Sequence, residues 1–350
     1  MAAATRRSPK ARVYRGTPRN LARLASALGR GELVAVPTET VYGLAADALN
    51  PRACRLIFRA KGRPTADPLI VHIHAWRQLE QLAEPNDAAR RLAKAFWPGP
   101  LTMVLPKNAC VPAIVTSGLP SVAIRMPRHA LFRRLLKQCE RPLAAPSANP
   151  FGYVSPTTSA HVLAGLGQRI SYILEGGAAT IGLESTIVDL RNPAAPRLLR
   201  PGAITREQLE AVLGLPVEVV HGHAAPAQPR AQIAPGLLLR HYSPHTPVTL
   251  HERIAPADYR NASADEAWLL LMRPAGRTSP HVYALDPRGD LRGVARHLFG
   301  KLRELDAAGY RRIHVELAHG GGLADAINDR LRRAAAPRPG EPWPAETLPD

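Results

Sequence analysis

The chain has 350 residues; 45% are hydrophobic, 46 are Lys or Arg and 28 are Asp or Glu, giving a formal net charge of +18. That length supports two domains with sizeable cores, and that composition excludes a largely disordered chain. The longest apolar run, Trp268-Leu269-Leu270-Leu271-Met272, is far too short to cross a bilayer, and the scattered Cys54, Cys110 and Cys139 lack the spacing of a zinc site or a disulfide framework.

Residues 1–14 read as a disordered basic tail. Met1 to Arg12 has no apolar segment behind it, which argues against a secretory signal and for a cytoplasmic protein. Thr17-Pro18 offers an N-cap with proline at the first helical position, and Leu21, Leu24, Ala25 and Leu28 follow at helical spacing. Leu33 to Val36 is a short buried strand feeding the dense loop Pro37-Thr38-Glu39-Thr40-Val41-Tyr42-Gly43-Leu44. Asn50-Pro51 starts a helix that ends in Lys61-Gly62-Arg63-Pro64, and Leu69 to Ile73 is the next strand. A helix through Leu79 and Leu82 and another from Asp87 to Phe96 lead to the turn Trp97-Pro98-Gly99-Pro100. Strands at 101–105 and 121–125, helix 129–138, the turn Pro146-Ser147-Ala148-Asn149, helix 158–164, strands at 170–174 and 187–190 and helix 205–213 complete residues 15–214. Strands and helices alternate without strict order, so the fold class is α/β with a twisted mixed sheet flanked by helices.

Periodicity fades over 215–246, where Ala224 to Pro229 reads as a Pro/Ala linker and Arg240-His241-Tyr242-Ser243-Pro244 is chemically dense. Residues 247–336 alternate strands near 248–250, 267–272, 281–285 and 312–317 with helices 291–308 and 323–335, a small Rossmann-like three-layer α/β pattern. Residues 337–350 form a Pro-rich tail.

The sequence contains no phosphate-binding G-x-x-x-x-G-K-[ST] and no G-x-S-x-G elbow, and His319-Gly320-Gly321-Gly322 reads as a flexible strand-to-helix turn. What remains is cations and hydroxyls on loops. Lys61 and Arg63 flank one glycine at a helix end and suit a triphosphate, although a helix C-terminus also favours cations. Arg125 ends an apolar strand, which suits a carboxylate contact or an internal ion pair. Ser147 and Asn149 offer a polar turn for phosphate or adenine, or an ordinary Asx turn. Glu184-Ser185-Thr186 is similarly ambiguous, and Arg200 places one more guanidinium at a strand end. Such a set binds and orients anions, so it implies catalysis by positioning and charge stabilisation rather than a covalent intermediate. The net charge fits either arginine replacing lysine throughout or a polyanionic partner. The spread of basic residues without interleaved aromatics favours the first.

Eight motifs occur in order: Pro37 to Leu44, Lys61 to Pro64, Pro68 to His72, Trp97 to Thr102, Val122 to Pro127, Ala145 to Asn149, Glu184 to Thr186 and Leu199 to Gly202. Together they resemble the threonylcarbamoyl-AMP synthase family, the YrdC-like domain, and the linker and C-terminal unit resemble its two-domain branch. The resemblance implies a nucleotidyltransferase that makes threonylcarbamoyl-AMP and pyrophosphate from L-threonine, bicarbonate or CO2, and ATP. A threonylcarbamoyltransferase complex would then modify tRNA. It implies that Thr38, Thr40, His72, Arg125, Ala145 and Ser185 hold threonine. It implies that Lys61, Arg63, Asp67, Ser121, Ser147, Asn149, Ser155 and Arg200 hold ATP, with Tyr242 closing over the nucleotide. Lys61 and Arg63 would serve the chemistry, with Mg2+ carried by the ATP phosphates and no protein metal site. Glu39 would orient its loop. Asp67 stands where many relatives carry Asn, and Ser243 where many carry Ala. The alternative is an RNA-binding or ribosome-associated module of the same fold without synthase activity, and weak RNA binding is compatible with either.

Overall fold

The computed structural model describes residues 10–220, 231–236, 241–260, 262–276 and 279–337. The Ala224–Pro229 linker, Arg240 and the tail from 338 onward lie outside the described residues. The first unit runs β1 (Arg12–Tyr14), α1 (Pro18–Gly29), β2 (Val34–Val36), β3 (Gly43–Asp47), α2 (Pro51–Lys61), β4 (Ile70–His72), α3 (Trp76–Leu82), α4 (Asp87–Phe96), β5 (Leu101–Pro106), β6 (Ser121–Arg125), α5 (Ala130–Cys139), β7 (Leu143–Ala144), α6 (Ser159–Leu166), β8 (Tyr172–Leu174), β9 (Thr186–Asp189), β10 (Arg197–Arg200), α7 (Arg206–Leu213) and β11 (Glu218–Val219). The second runs β12 (Val248–His251), α8 (Pro256–Arg260), β13 (Glu266–Met272), β14 (Val282–Asp286), α9 (Leu291–Ala307), β15 (Arg312–Glu316) and α10 (Leu323–Ala335).

The first sheet has 11 strands in the order β1-β8-β2-β3-β7-β4-β6-β5-β9-β10-β11, with parallel and antiparallel neighbours mixed. The helices named from the sequence start within a residue of their expected positions, and the short α8 was not read from it. Thr17 caps α1 by accepting from the Asn20 N–H at 3.3 Å, and Asn50 caps α2 with Pro51 behind it. Gly62 closes α2 in the left-handed region at φ 66°. The second sheet has four strands, all parallel, in the order β12-β15-β13-β14. Its apolar face packs on α9 and α10, and the other face carries the short α8. The two units share a core: Val41, Val154, Leu183 and Tyr242 belong to the same apolar cluster as Leu298 and Phe299.

Three strands depart from the sequence reading. Residues 12–14 are not tail but β1, parallel to β8. Gly43–Asp47, of which the first two residues read as loop, is a fully buried strand antiparallel to β2, so the dense motif is the connection of a central hairpin. Glu218–Val219, read as linker, pairs with β10. Two- and three-residue strands give no period to detect, and a five-residue apolar run is ambiguous without flanking turn residues.

Candidate active site

Loops at the centre of the first sheet converge on one pocket. Its first wall is the 37–42 connection. The Thr38 hydroxyl accepts from the N–H groups of Thr40 and Val41 at 3.0 and 3.1 Å and donates to the Val41 carbonyl at 2.6 Å. The Thr40 hydroxyl, 2.7 Å away, therefore donates to Thr38 and accepts from Arg125 Nη1 at 2.9 Å. Gly43 lets the chain return closely beside β3: a Cβ there would lie 3.3 Å from Ala145 Cβ, tight enough that the neighbour would have to shift slightly.

Arg125 ends β6, paired to His72 on β4 and Thr102 on β5. Its buried guanidinium donates through Nε to the Gly99 carbonyl at 3.1 Å, and Nη2 lies 2.7 Å from Glu39 Oε1. Burial raises the Glu39 carboxyl, but Arg125 outweighs it and holds the group below its ordinary value. Glu39 thus orients the guanidinium as well as the loop. Burial first, then Arg125, pushes His72 down to about 3, so the imidazole is neutral. Its Nδ1 has no hydrogen-bond partner among the described residues. Thr38, Thr40, His72, Arg125, Ala145 and Ser185 all line the pocket.

The opposite wall carries the other cations. Arg63 donates to the Asp67 and Pro68 carbonyls at 3.0 and 2.7 Å and pairs with the Asp67 carboxylate at 2.9 Å. Arg200 ends β10 and donates to the Ser185 carbonyl and hydroxyl at 3.0 and 3.1 Å. The Ser185 hydroxyl also meets that of Thr102 at 2.7 Å. Ser147 and Tyr242 also line it. Tyr242 is buried at φ 62°, its hydroxyl without a hydrogen-bond partner among the described residues. Gly236 sits against it: a Cβ there would lie 2.9 Å from the Tyr242 hydroxyl and 3.0 Å from Arg200 Nη1.

Five of the residues named from sequence stand behind this lining. The Lys61 ammonium donates to the Ser147 and Asn149 carbonyls at 2.5 and 2.6 Å, bracing that turn from beneath. Burial and then Arg63 hold Lys61 well below its ordinary value. Asp67 holds Arg63. The Asn149 amide donates to the Pro150 and Tyr153 carbonyls at 2.9 and 2.7 Å. The Ser155 hydroxyl donates to Glu184 at 2.5 Å. Ser121 is buried at the far end of β6, opposite Pro106, away from Arg125. Side-chain direction on a loop or strand end is set by tertiary packing, which no local pattern reports.

Sequence reasoning also left pocket residues unassigned. Glu184, Pro235, Gly236 and His241 line it, although their stretches stood out as polar or Pro/Gly-rich. Arg330 was missed. It sits on α10 without exposure, its Nε 2.8 Å from Glu184 Oε2. The available signal was an arginine on the apolar stripe of Ala326, Ile327 and Ala334.

A pocket of this kind, with one buried guanidinium at one end and further guanidiniums at the other, defines an α/β protein whose site suits anions. The comparisons with known proteins agree. Residues 26–202 match the family described as telomere recombination, and residues 204–336 match the threonylcarbamoyl-AMP synthase C-terminal domain. Threonylcarbamoyl-AMP synthase of Pyrococcus abyssi is 42% identical over 323 residues, 90% of this chain and 93% of that protein. The Bacillus subtilis synthase is 41% identical over 327 residues, 91% and 93% of the two chains. The crystal structure of P. abyssi Sua5 complexed with L-threonine has a TM-score of 0.83 at 38% identity, covering 92% of this chain and 96% of that one. The chain belongs to the threonylcarbamoyl-AMP synthase family.

Proposed function

We infer that the chain makes L-threonylcarbamoyladenylate and pyrophosphate from L-threonine, bicarbonate or CO2, and ATP. The observation that carries this reading is Arg125. It is a buried guanidinium held by Glu39, Gly99 and Thr40, facing the same pocket as Arg63 and Arg200. Arg125 forks the threonine carboxylate. Neutral His72 offers Nδ1 to a substrate polar group, and Val41 and Ile70 give the methyl group an apolar wall.

The threonine amine captures CO2 as a carbamate. A carbamate oxygen then forms a bond to the α-phosphorus while the bond from phosphorus to the bridging oxygen breaks, releasing pyrophosphate. Arg63 and Arg200 face the phosphates and offset the charge that develops on them. Lys61 fixes the Ser147–Asn149 turn, and it gains a stronger hold on its proton when an anion enters. Asp67 and Glu184 are engaged by Arg63 and Arg330, so these residues fit an Mg2+ carried by ATP rather than caged by protein; that ion would supply charge neutralisation on the triphosphate. The adenylate passes to a separate transferase acting on tRNA. Among the described residues no helix is long and apolar enough to cross a membrane. A cytoplasmic reaction is the reading that ATP and a tRNA acceptor support.

Pyrophosphate release from ATP tests the reading. It is expected to require both threonine and bicarbonate, and to favour threonine over serine by about 1–3 kcal/mol because the pocket packs the methyl group. Release indifferent to threonine sinks it.

A further inference from the structure

The second unit packs behind the pocket through Leu298 and Phe299, and it brings one charged side chain to a carboxylate of the lining. Arg330 leaves α10 and enters the first unit without exposure to solvent. Its Nε lies 2.8 Å from Glu184 Oε2, and its Nη2 donates to the Pro201 carbonyl at 3.0 Å. Its guanidinium stands 5.3 Å from the centre of the Tyr242 ring. The second Glu184 oxygen accepts from Ser155 at 2.5 Å. Arg330 Nη1 also meets Asp329 Oδ2 at 2.5 Å, and Asp329 is paired with Arg333 at 3.0 Å. Glu184 is therefore a pocket-lining carboxylate tied into an ion network of the other unit.

The charges of the wall show why this matters. Arg63 is answered by Asp67 and Arg125 by Glu39. Lys61 is occupied by two carbonyls and loses affinity for its proton to burial. Among the described residues, Arg200 is the nucleotide-side guanidinium whose hydrogen-bond partners are neutral oxygens, and Glu184 is among the charges that act on it. Left unanswered, Glu184 would cancel it. A buried carboxylate on that wall also opposes the entry of a triphosphate.

We propose that Arg330 is a positioning residue for ATP: by neutralising Glu184 and anchoring the Pro201 carbonyl beside Arg200, the C-terminal unit sets the charge and shape of the nucleotide wall. This rests on the reading that the pocket takes ATP, and it gives the second unit a task in the reaction. The part of the threonine wall around Arg125, Thr38 and Thr40 is expected to persist when Arg330 is removed, because those residues are held by one another, Glu39 and Gly99.

Equilibrium titration of the full-length chain with ATP, and separately with threonine, tests the proposal. Arg330→Met is expected to weaken ATP at least tenfold and threonine by less than threefold. Arg330→Lys, which keeps the charge and loses the fork, is expected to fall between wild type and Arg330→Met. The double variant Arg330→Met with Glu184→Gln, which removes both charges, is expected to recover ATP binding to within about threefold of wild type. Unchanged ATP binding in Arg330→Met overturns the proposal. So does equal loss of both ligands with no recovery in the double variant, which makes Arg330 a structural strut. If Arg330→Met alone does not fold, Arg330→Lys and the double variant carry the same comparison. Wild-type chain that binds ATP yet releases no threonine-dependent pyrophosphate defeats the proposed reaction and leaves the Arg330 comparison readable.

Discussion

Three residues show what burial does to ordinary chemistry. Arg125 is held at all three nitrogens, so its value lies in a fixed fork and not only in its charge. Arg125→Lys is expected to raise the KM for threonine at least tenfold and that for ATP by less than threefold. Arg125→Ala adds instability, because it strands Glu39 in the interior at a cost of about 3–5 kcal/mol. Equal effects on both substrates in steady-state kinetics would move Arg125 to the nucleotide side. His72 and His241 are both buried as neutral rings, His72 lowered by burial and then Arg125, His241 by burial and then Arg63. The unfolded chain protonates such histidines near a pH of about 6.5. Their stability is thus intact above that pH and is lost as pH falls below it, by up to about 1.4 kcal/mol per pH unit for each. Urea unfolding at several pH values between 7.5 and 5 checks this, and His72→Asn is expected to flatten the slope. Arg125 was legible in the sequence because it ends an apolar strand. Ser121 and Ser155 were not, since a hydroxyl's direction is decided by neighbours far along the chain.

The loop of Thr38 and Thr40 owes its shape to elements that carry no chemistry. Tyr42 donates to the Gly177 carbonyl at 2.8 Å and accepts from the Gly176 N–H at 3.1 Å. That turn follows β8, and its Glu175 N–H donates to the Tyr14 carbonyl at 2.8 Å, at the end of β1. The edge strand β1 thus steadies the turn that grips the motif. Deleting residues 1–14 is expected to lower the melting temperature by a few degrees and to raise the KM for threonine more than that for ATP. An unchanged melting curve would make β1 ornamental. The helices α1 and α2 were legible from their caps, Thr17-Pro18 and Asn50-Pro51, which the structure uses as such. β1 and β11 were not, because two or three residues satisfy strand, loop and tail equally well.

At the scale of the whole chain, alternating patterns sufficed to read two α/β units, but not that they share a core. Val41, Val154 and Leu183 look like local core in sequence, yet they pack with Phe299 and Leu298 across the junction. Tyr242 stacks on Phe299 with ring centres 5.4 Å apart, and the neighbouring His241 and Ser243 donate to the Arg333 carbonyl at 3.3 and 3.2 Å. Tyr242→Ala is expected to lower turnover several-fold with little change in threonine affinity, as read by pyrophosphate release at saturating threonine. Unchanged kinetics would make this segment a tether only.

The pairing of Glu184 with Arg330 has a consequence for hybrid chains. A carboxylate in one folding unit and its guanidinium in the other cannot be exchanged separately: a hybrid chain that kept Glu184 but drew its second half from a sequence without the arginine would seal an unanswered charge indoors, at a cost of about 3–5 kcal/mol. A hybrid of two such chains is therefore expected to be stable only when the residues at 184 and 330 are exchanged as a pair, or when both are made neutral.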